Sequence, residues 1–346
     1  MNQIKAYKNI LLPLSFVAMA VFSLASPAWS GFQMSQVSWR ICGVYTALSA
    51  WGVPLWICGV GVAYLTGDNV YDTGFVMKKR LPRAAVGCLV WWMVSTLVMM
   101  KYTRPNELDF DTFFECMGSV LNSPFNLRLL QLCVIFFAFY PLLRKIAKNE
   151  RLTGYAVAVF FVFAALVPAI EYIPYVNHLN LFLKQVNWGF FTSNGLYLFL
   201  GLFLLRKSFV WHERTVIYCL GVFGTVAMYC CTVFVSPQDG GYDGVFVGEA
   251  SPFTAMQVSA LVVLVRQHAG KKGRLLHSGA ASVAAGAAYA VIPAFTVMRY
   301  LLEKHIAFGA MGLAAAIPLE AALLTVCAIA FAAIVRRIPV ISYFTA

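Results

Sequence analysis

Ten runs of about twenty mainly apolar residues, separated by short polar connections, dominate this chain of 346 residues. A helix that crosses a bilayer needs ~20 such residues. Only helices and closed barrels satisfy every backbone N–H and C=O there without water. The runs fall at 9–29, 37–65, 82–101, 127–146, 153–172, 188–206, 213–235, 250–267, 279–302 and 307–335. They predict an all-α, polytopic transmembrane helix bundle of about ten spans, a single integral-membrane domain over residues 1–346. Composition points the same way: 61% of residues are hydrophobic and 12% charged, against ~45–50% and ~25% in soluble domains. So little charge cannot cover a soluble surface, which excludes a soluble enzyme, a disordered chain and a collagen-like fibre.

The net charge of +12 raises the question of nucleic acid, whose phosphates attract basic stripes. No basic stripe here carries interleaved stacking aromatics on a polar background, so no nucleic-acid partner is expected. With the N-terminus inside, nineteen of the 26 Lys and Arg residues fall on the inner side. They cluster at Lys5–Lys8, Lys78–Arg83, Arg144–Arg151, Arg206–Arg214, Arg266–Arg274 and Arg336–Arg337. The outer side holds Arg40, Lys101, Arg104, Arg128, Lys184, Arg299 and Lys304. Positive-inside asymmetry then places both termini in the cytoplasm. Lys5, Lys8, the apolar stretch from Ile10 and Ser26-Pro27-Ala28 resemble a signal peptide. The stretch is long enough to span and the charge alternation works with it, so a retained first span is expected.

The nine cysteines lie almost entirely within apolar runs and form no C-x-x-C, the pattern of small buried hydrophobes rather than a disulfide framework or zinc ribbon. The five histidines sit near run ends or between runs, and no metal site is expected. The second run is overlong and carries Arg40, Gly52 and Pro54, which predicts a kink or an interfacial first portion. Between runs three and four, Phe110, Phe113, Phe114, Met117, Val120 and Leu121 recur at helical spacing, with Asp109 or Asp111 as N-cap. That helix either lies on the outer membrane face or folds over the outer mouth of the bundle.

From Val53 the chain reads V-P-L-W-I-C-G-V-G-V-A-Y-L, then a polar loop, then F-V-M-K-K-R-L-P-R from Phe75 to Arg83 and a span containing Trp91-Trp92. This resembles the acyltransferase 3 family of integral-membrane acyltransferases, in which a V-P-L-F-F-x-x-S-G-Y-L helix precedes a basic F-x-K-K-R-x-x-R stretch. Pro141-Leu142-Leu143-Arg144-Lys145, Tyr197-Leu198-Phe199-Leu200-Gly201, and the pair Tyr289 and Pro293 are similar to further family motifs, in family order. The resemblance implies transfer of an acyl group, typically acetyl, from cytoplasmic acyl-CoA to a hydroxyl of an envelope glycan or lipid-linked glycan. It also implies a bacterial inner (plasma) membrane, with acyl-CoA as a donor substrate and no permanently bound cofactor.

The departures bear on catalysis. The family's first-span Arg and the His eleven residues later correspond to Lys8 and Met19. A fourth-span His becomes Asn126, and the His of the late motif becomes Ile292. No His precedes His178, which leaves open a catalytically inactive relative acting in polysaccharide export or assembly; a small-molecule transporter is a third reading.

Transfer from a thioester to an alcohol needs a base, oxyanion stabilisation and a hold on the CoA phosphates. Arg80 and Arg83 are three apart, so on a helix they share a face and can grip one phosphate, with Lys79 beside them. Positive-inside anchoring is the alternative use of the same charges. Glu320 lies near the middle of the last run, where an ionisable group faces a partner or a water-filled cavity. It is the candidate base, one half of a structural ion pair with Arg128 or Arg40, or a neutral hydrogen-bonded acid. Arg128 either binds substrate from the outer side or snorkels to the interface. Asp239 and Asp243, in an acidic outer loop with Glu249, either bind sugar hydroxyls, hold a hard cation or form a solvated turn.

Overall fold

The computed structural model describes residues 2–66, 72–103, 109–122, 128–170, 193–237, 241–269, 312–335 and 337, and among them every regular element is helical, with no strand. In chain order the helices are α1 (Asn2–Gly31), α2 (Val37–Ser49), α3 (Gly52–Leu65), α4 (Thr73–Phe75), α5 (Leu81–Thr103), α6 (Phe110–Asn122) and α7 (Arg128–Lys148). They continue with α8 (Glu150–Phe161), α9 (Val167–Ile170), α10 (Ser193–Arg206), α11 (Trp211–Val235), α12 (Pro252–Ala269) and α13 (Leu313–Val335). Two π-helical turns, Val76–Arg80 and Val162–Leu166, join α4 to α5 and α8 to α9. The chain forms two compact units, each drawn from two stretches of sequence. The first comprises Met1–Val70 and Arg144–His277; the second comprises Tyr71–Leu143 and Ser278–Ala346.

Among the described residues, seven helical segments are long and apolar enough to cross a membrane: Ile10–Gly31, Val37–Leu65, Thr73–Lys101, Leu129–Lys148, Glu150–Ile170, Trp211–Val235 and Leu313–Phe331. The chain is an integral membrane protein. These segments match predicted runs one to five, seven and ten. Run six appears as the shorter apolar helix Ser193–Arg206. Run eight is the helix α12, where Gln257, Arg266, Gln267 and His268 dilute the apolar character. Run nine lies outside the described residues.

In the first unit, α1 packs on α2 and α3, burying Leu11, Phe16, Met19 and Trp29. The first apolar run is therefore part of the packed core. Lipid chains are as apolar as leucine, so helices in a bilayer associate through close packing and hydrogen bonds rather than hydrophobicity. The crossing of α3 with α10 shows how. A Cβ on Gly61 would lie 2.6 Å from the Leu198 carbonyl oxygen, and one on Gly201 would lie 2.8 Å from Cβ of Cys58. The Cys58 thiol donates to the Tyr197 carbonyl at 3.0 Å. Helices α11 and α12 approach as closely where Gly224 faces the Phe253 carbonyl, 2.7 Å from a would-be Cβ.

The second predicted span is broken, as its Gly and Pro foretold. Pro54 has no N–H for the carbonyl of residue 50, and its ring crowds that carbonyl, so α2 ends at Ser49 and α3 starts at Gly52. A helix end leaves its last carbonyls without intrahelical donors. Side chains supply two of them: Trp51 Nε1 donates to Leu48 O at 2.6 Å and Gln257 Nε2 to Ala47 O at 2.8 Å.

In the second unit, α6 forms the predicted amphipathic helix and Asp109 caps it, its Oδ1 accepting the Thr112 N–H at 2.8 Å. The helix packs along α5, where Trp92 Nε1 donates to Met117 O at 3.2 Å. Thr112 and Cys116 are buried, while Phe110 and Phe114 are exposed.

Candidate functional site

The basic stretch Lys78-Lys79-Arg80 occupies a π-helical turn at the start of the third span. Asp72 caps the segment, its Oδ2 accepting the Gly74 N–H at 3.2 Å. Single π turns inside α-helices are rare and concentrate at functional sites. Residues four apart lie on one face of a helix, so Arg80 follows Val76 and precedes Ala84 along the same side. Val76, Ala84 and Trp91 are the buried stripe of this helix, at 0%, 4% and 5% exposure. Arg80 therefore stands on the core-facing side of an apolar helix.

Exposure agrees with that placement. Lys78 and Lys79 are exposed, whereas Arg80 and Arg83 are half-buried, with their Nε atoms shielded from solvent. Lys79 lies over the Phe75 ring, its Nζ 5.5 Å from the centroid. Desolvating a guanidinium is costly unless an acceptor meets it. Arg80, Arg83 and Glu320 are each engaged by other groups of the fold. The three charges expected to matter most thus all belong to the second unit. Glu320 sits half-buried in α13, two residues after Pro318, and Arg128 opens α7. Arg40, the other expected partner of Glu320, is exposed on α2 in the first unit.

No family model, curated protein or solved structure matches this chain. Its function rests on its own residues.

Among the described residues, no group of three or more His, Cys, Asp or Glu could hold a metal ion. The described histidines, His212 and His268, are both exposed. The acidic loop between α11 and α12 holds a turn. Asp243 Oδ1 accepts the Val245 N–H at 2.9 Å and the Asp243 N–H donates to Ser236 Oγ at 3.2 Å, which builds the carboxylate into a turn. Asp239 lies outside the described residues. Trp29 meets Trp39, Tyr229 and, from this loop, Tyr242, with ring centroids 5.4, 6.3 and 5.0 Å apart.

Burial pushes the Tyr242 phenol up to about 12; a hydrogen bond with Ser26 opposes the rise and the Asp243 charge adds to it. Above pH 10, the ordinary value, the unfolded phenol ionises while the folded one keeps its proton. The folded state then binds more protons, so stability falls as pH rises from 10 to about 12. Thermal unfolding midpoints between pH 9 and 11.5 should drop more steeply in the wild type than in Tyr242→Phe, and absorbance at 295 nm should show a phenol titrating late. Parallel pH profiles for the two proteins would count against this coupling.

Sequence reading missed the polar crosslink at the break in span two. Gln257 is 3% exposed, and its Nε2 donates to Ala47 O and to Thr225 Oγ1, the latter at 2.9 Å. Because a carbonyl only accepts, the contact with Ala47 fixes which end of the amide is nitrogen. The only amide within the apolar body of run eight was the available signal, but its partner is 210 residues away. Gln257→Leu should cost about 1–3 kcal/mol, since it leaves the Ala47 carbonyl buried without a donor. Thermal unfolding should show the loss, and hydrogen exchange should quicken at residues 48–52. Unchanged exchange there would mean that the amide does not hold the break.

Proposed function

We propose that the chain is a membrane-embedded acyltransferase-like protein. It would carry an acyl group, acetyl in the simplest case, from cytoplasmic acyl-CoA to a hydroxyl of an envelope glycan or lipid-linked glycan. The observation that carries this reading is Arg80. A guanidinium on the buried stripe of an apolar helix, one turn from Arg83 and flanked by exposed Lys78 and Lys79, suits an anionic ligand at the membrane edge. Positive-inside anchoring alone calls only for exposed charges such as those two lysines. In this reading both termini are cytoplasmic and the protein resides in a bacterial inner membrane. Arg80, Arg83 and Lys79 hold the CoA phosphates, Arg128, Asp239 and Asp243 belong to the acceptor side, and Glu320 is the candidate base.

A second reading is favoured by the missing imidazoles. Lys8, Met19, Asn126 and Ile292 stand where the resembling family carries its basic and histidine residues. On that reading the fold persists without turnover and serves polysaccharide export or assembly. One experiment separates the two. The purified full-length protein is given labelled acetyl-CoA, and both binding and transfer to a membrane glycan fraction are measured. Binding that depends on Arg80, with transfer abolished by Glu320→Gln, supports the enzyme; binding without transfer supports the inactive relative; absence of binding removes the donor site.

A further inference from the structure

The first unit contains a cationic face that the acyl-transfer reading does not use. Two hydrogen bonds assemble it. Arg206 Nη1 donates to the Ala147 carbonyl at 2.5 Å, joining the end of α10 to the α7–α8 turn. Arg266 Nη1 donates to the Leu204 carbonyl at 2.9 Å and to that of Lys207, joining the end of α12 to the α10–α11 turn. These arginines cap helix C-termini, where carbonyls lack donors and the dipole favours cations. The same contacts gather the segments 144–151, 206–214 and 266–269 at one end of the unit. Those segments hold eight Lys and Arg residues against two acids, Glu150 and Glu213. Glu213 is already committed, its Oε2 accepting the Val210 N–H at 3.0 Å.

We propose that this face binds the headgroups of anionic phospholipid. Its basic groups are paired with outward-facing aromatics at helical spacing. Arg151 is followed four residues later by Tyr155, and Trp211 three residues later by Arg214; Tyr155 and Trp211 are each 67% exposed. Aromatic rings with one wet edge settle at the headgroup level, and long basic side chains reach up from there to the phosphates. Arg214 adds a second indication, because its Nε is buried with no hydrogen-bond acceptor among the described residues. Lys148, Arg151 and Lys207 are exposed and free of the capping duty that occupies Arg206 and Arg266. A lipid satisfies both halves of such a surface: phosphate for the cations, glycerol and upper chains for Trp211 and Tyr155. The proposal does not depend on acyl transfer.

The test uses the full-length protein in nanodiscs of phosphatidylcholine with a minor share of phosphatidylglycerol, read out by electron spin resonance of spin-labelled lipid. Phosphatidylglycerol should associate more strongly than phosphatidylcholine. The preference should fall about fivefold for each basic residue removed in Lys207→Gln/Arg214→Gln, and also in the exposed pair Lys148→Gln/Arg151→Gln, which guards against a folding defect at Arg214. Raising the salt to 0.5 M should suppress it. Lys101→Gln, exposed on α5 in the other unit, should leave it unchanged. No preference, equal loss in Lys101→Gln, or displacement of the labelled lipid by millimolar CoA or inorganic phosphate would overturn the assignment; the last would identify a soluble phosphate ligand instead.

Discussion

Arg80→Gln should weaken acetyl-CoA binding by about ten- to a hundredfold. The figure follows from the loss of a hydrogen bond to a charged group, worth ~1.5–3 kcal/mol. Arg83→Gln, one turn away with its Nε equally shielded, should lose a similar amount. Lys78→Gln should lose less than threefold, because that side chain is exposed and points away from the buried stripe. Arg80→Lys should fall between: it keeps the charge but not the planar fork that grips two phosphate oxygens together. A merely structural arginine would behave differently, lowering the unfolding temperature in all of its variants while leaving the dissociation constant of the folded fraction unchanged. Isothermal titration against CoA and dephospho-CoA sharpens the distinction. If Arg80 holds the terminal phosphate, the penalty of Arg80→Gln should vanish with dephospho-CoA. Affinity that is indifferent to Arg80, or equally sensitive to Lys78, would remove the donor site from the proposal.

How this residue came into view shows what a membrane sequence does and does not disclose. The K-K-R-L-P-R pattern marked the location, and α-helical spacing put Arg80 and Arg83 on one face. That spacing alone did not tell Arg80 from its lysine neighbours, because every loop read as inner is basic. The distinction came from burial: Arg80 stands midway between Val76 and Ala84, both buried, at the four-residue spacing of one helix face, while Lys78 and Lys79 are exposed. Which side of a span is covered depends on the other helices, which the local composition does not specify. Long apolar runs were legible because bilayer thickness sets their length, and the break at Gly52-Val53-Pro54 was legible because proline chemistry is local. The Asp109 cap was legible for the same reason. The Gln257 clamp and the arginine caps were not, since each joins a side chain to a carbonyl on a distant helix. Basic residues that the sequence reading used only for topology also close helix ends in the first unit, a role that depends on which carbonyls lie beside them.

The largest effect on stability should come from a methyl group at the α3–α10 crossing. In Gly61→Ala the new Cβ meets the Leu198 carbonyl oxygen at 2.6 Å, closer than a carbon and an oxygen can approach without bonding. That oxygen belongs to the main chain of α10, so no rotamer change relieves it and the helices must separate. Separation also strains the Cys58–Tyr197 hydrogen bond and the anchoring of Tyr197 Oη, which donates to the Glu249 carbonyl at 2.7 Å. Overpacking of this kind costs typically ~1–3 kcal/mol and sometimes more; Gly61→Ala should reach the upper end. Gly201→Ala meets Cβ and Cα of Cys58 at 2.8 and 3.1 Å at the same crossing, so it should destabilise for the same reason. Once one methyl has parted the helices, the second finds room, and the double variant should lose clearly less than the sum of the two. Gly118 supplies the opposite sign. It lies inside α6 with nothing within 4 Å of a would-be Cβ, so Gly118→Ala gains helix propensity and should stabilise by up to ~1 kcal/mol. Unfolding in mixed micelles, followed by tryptophan fluorescence, measures all four proteins. Additive losses at Gly61 and Gly201 would show that the two glycines do not share one interface, and a neutral Gly61→Ala would mean that α3 and α10 do not pack at this distance in the bilayer.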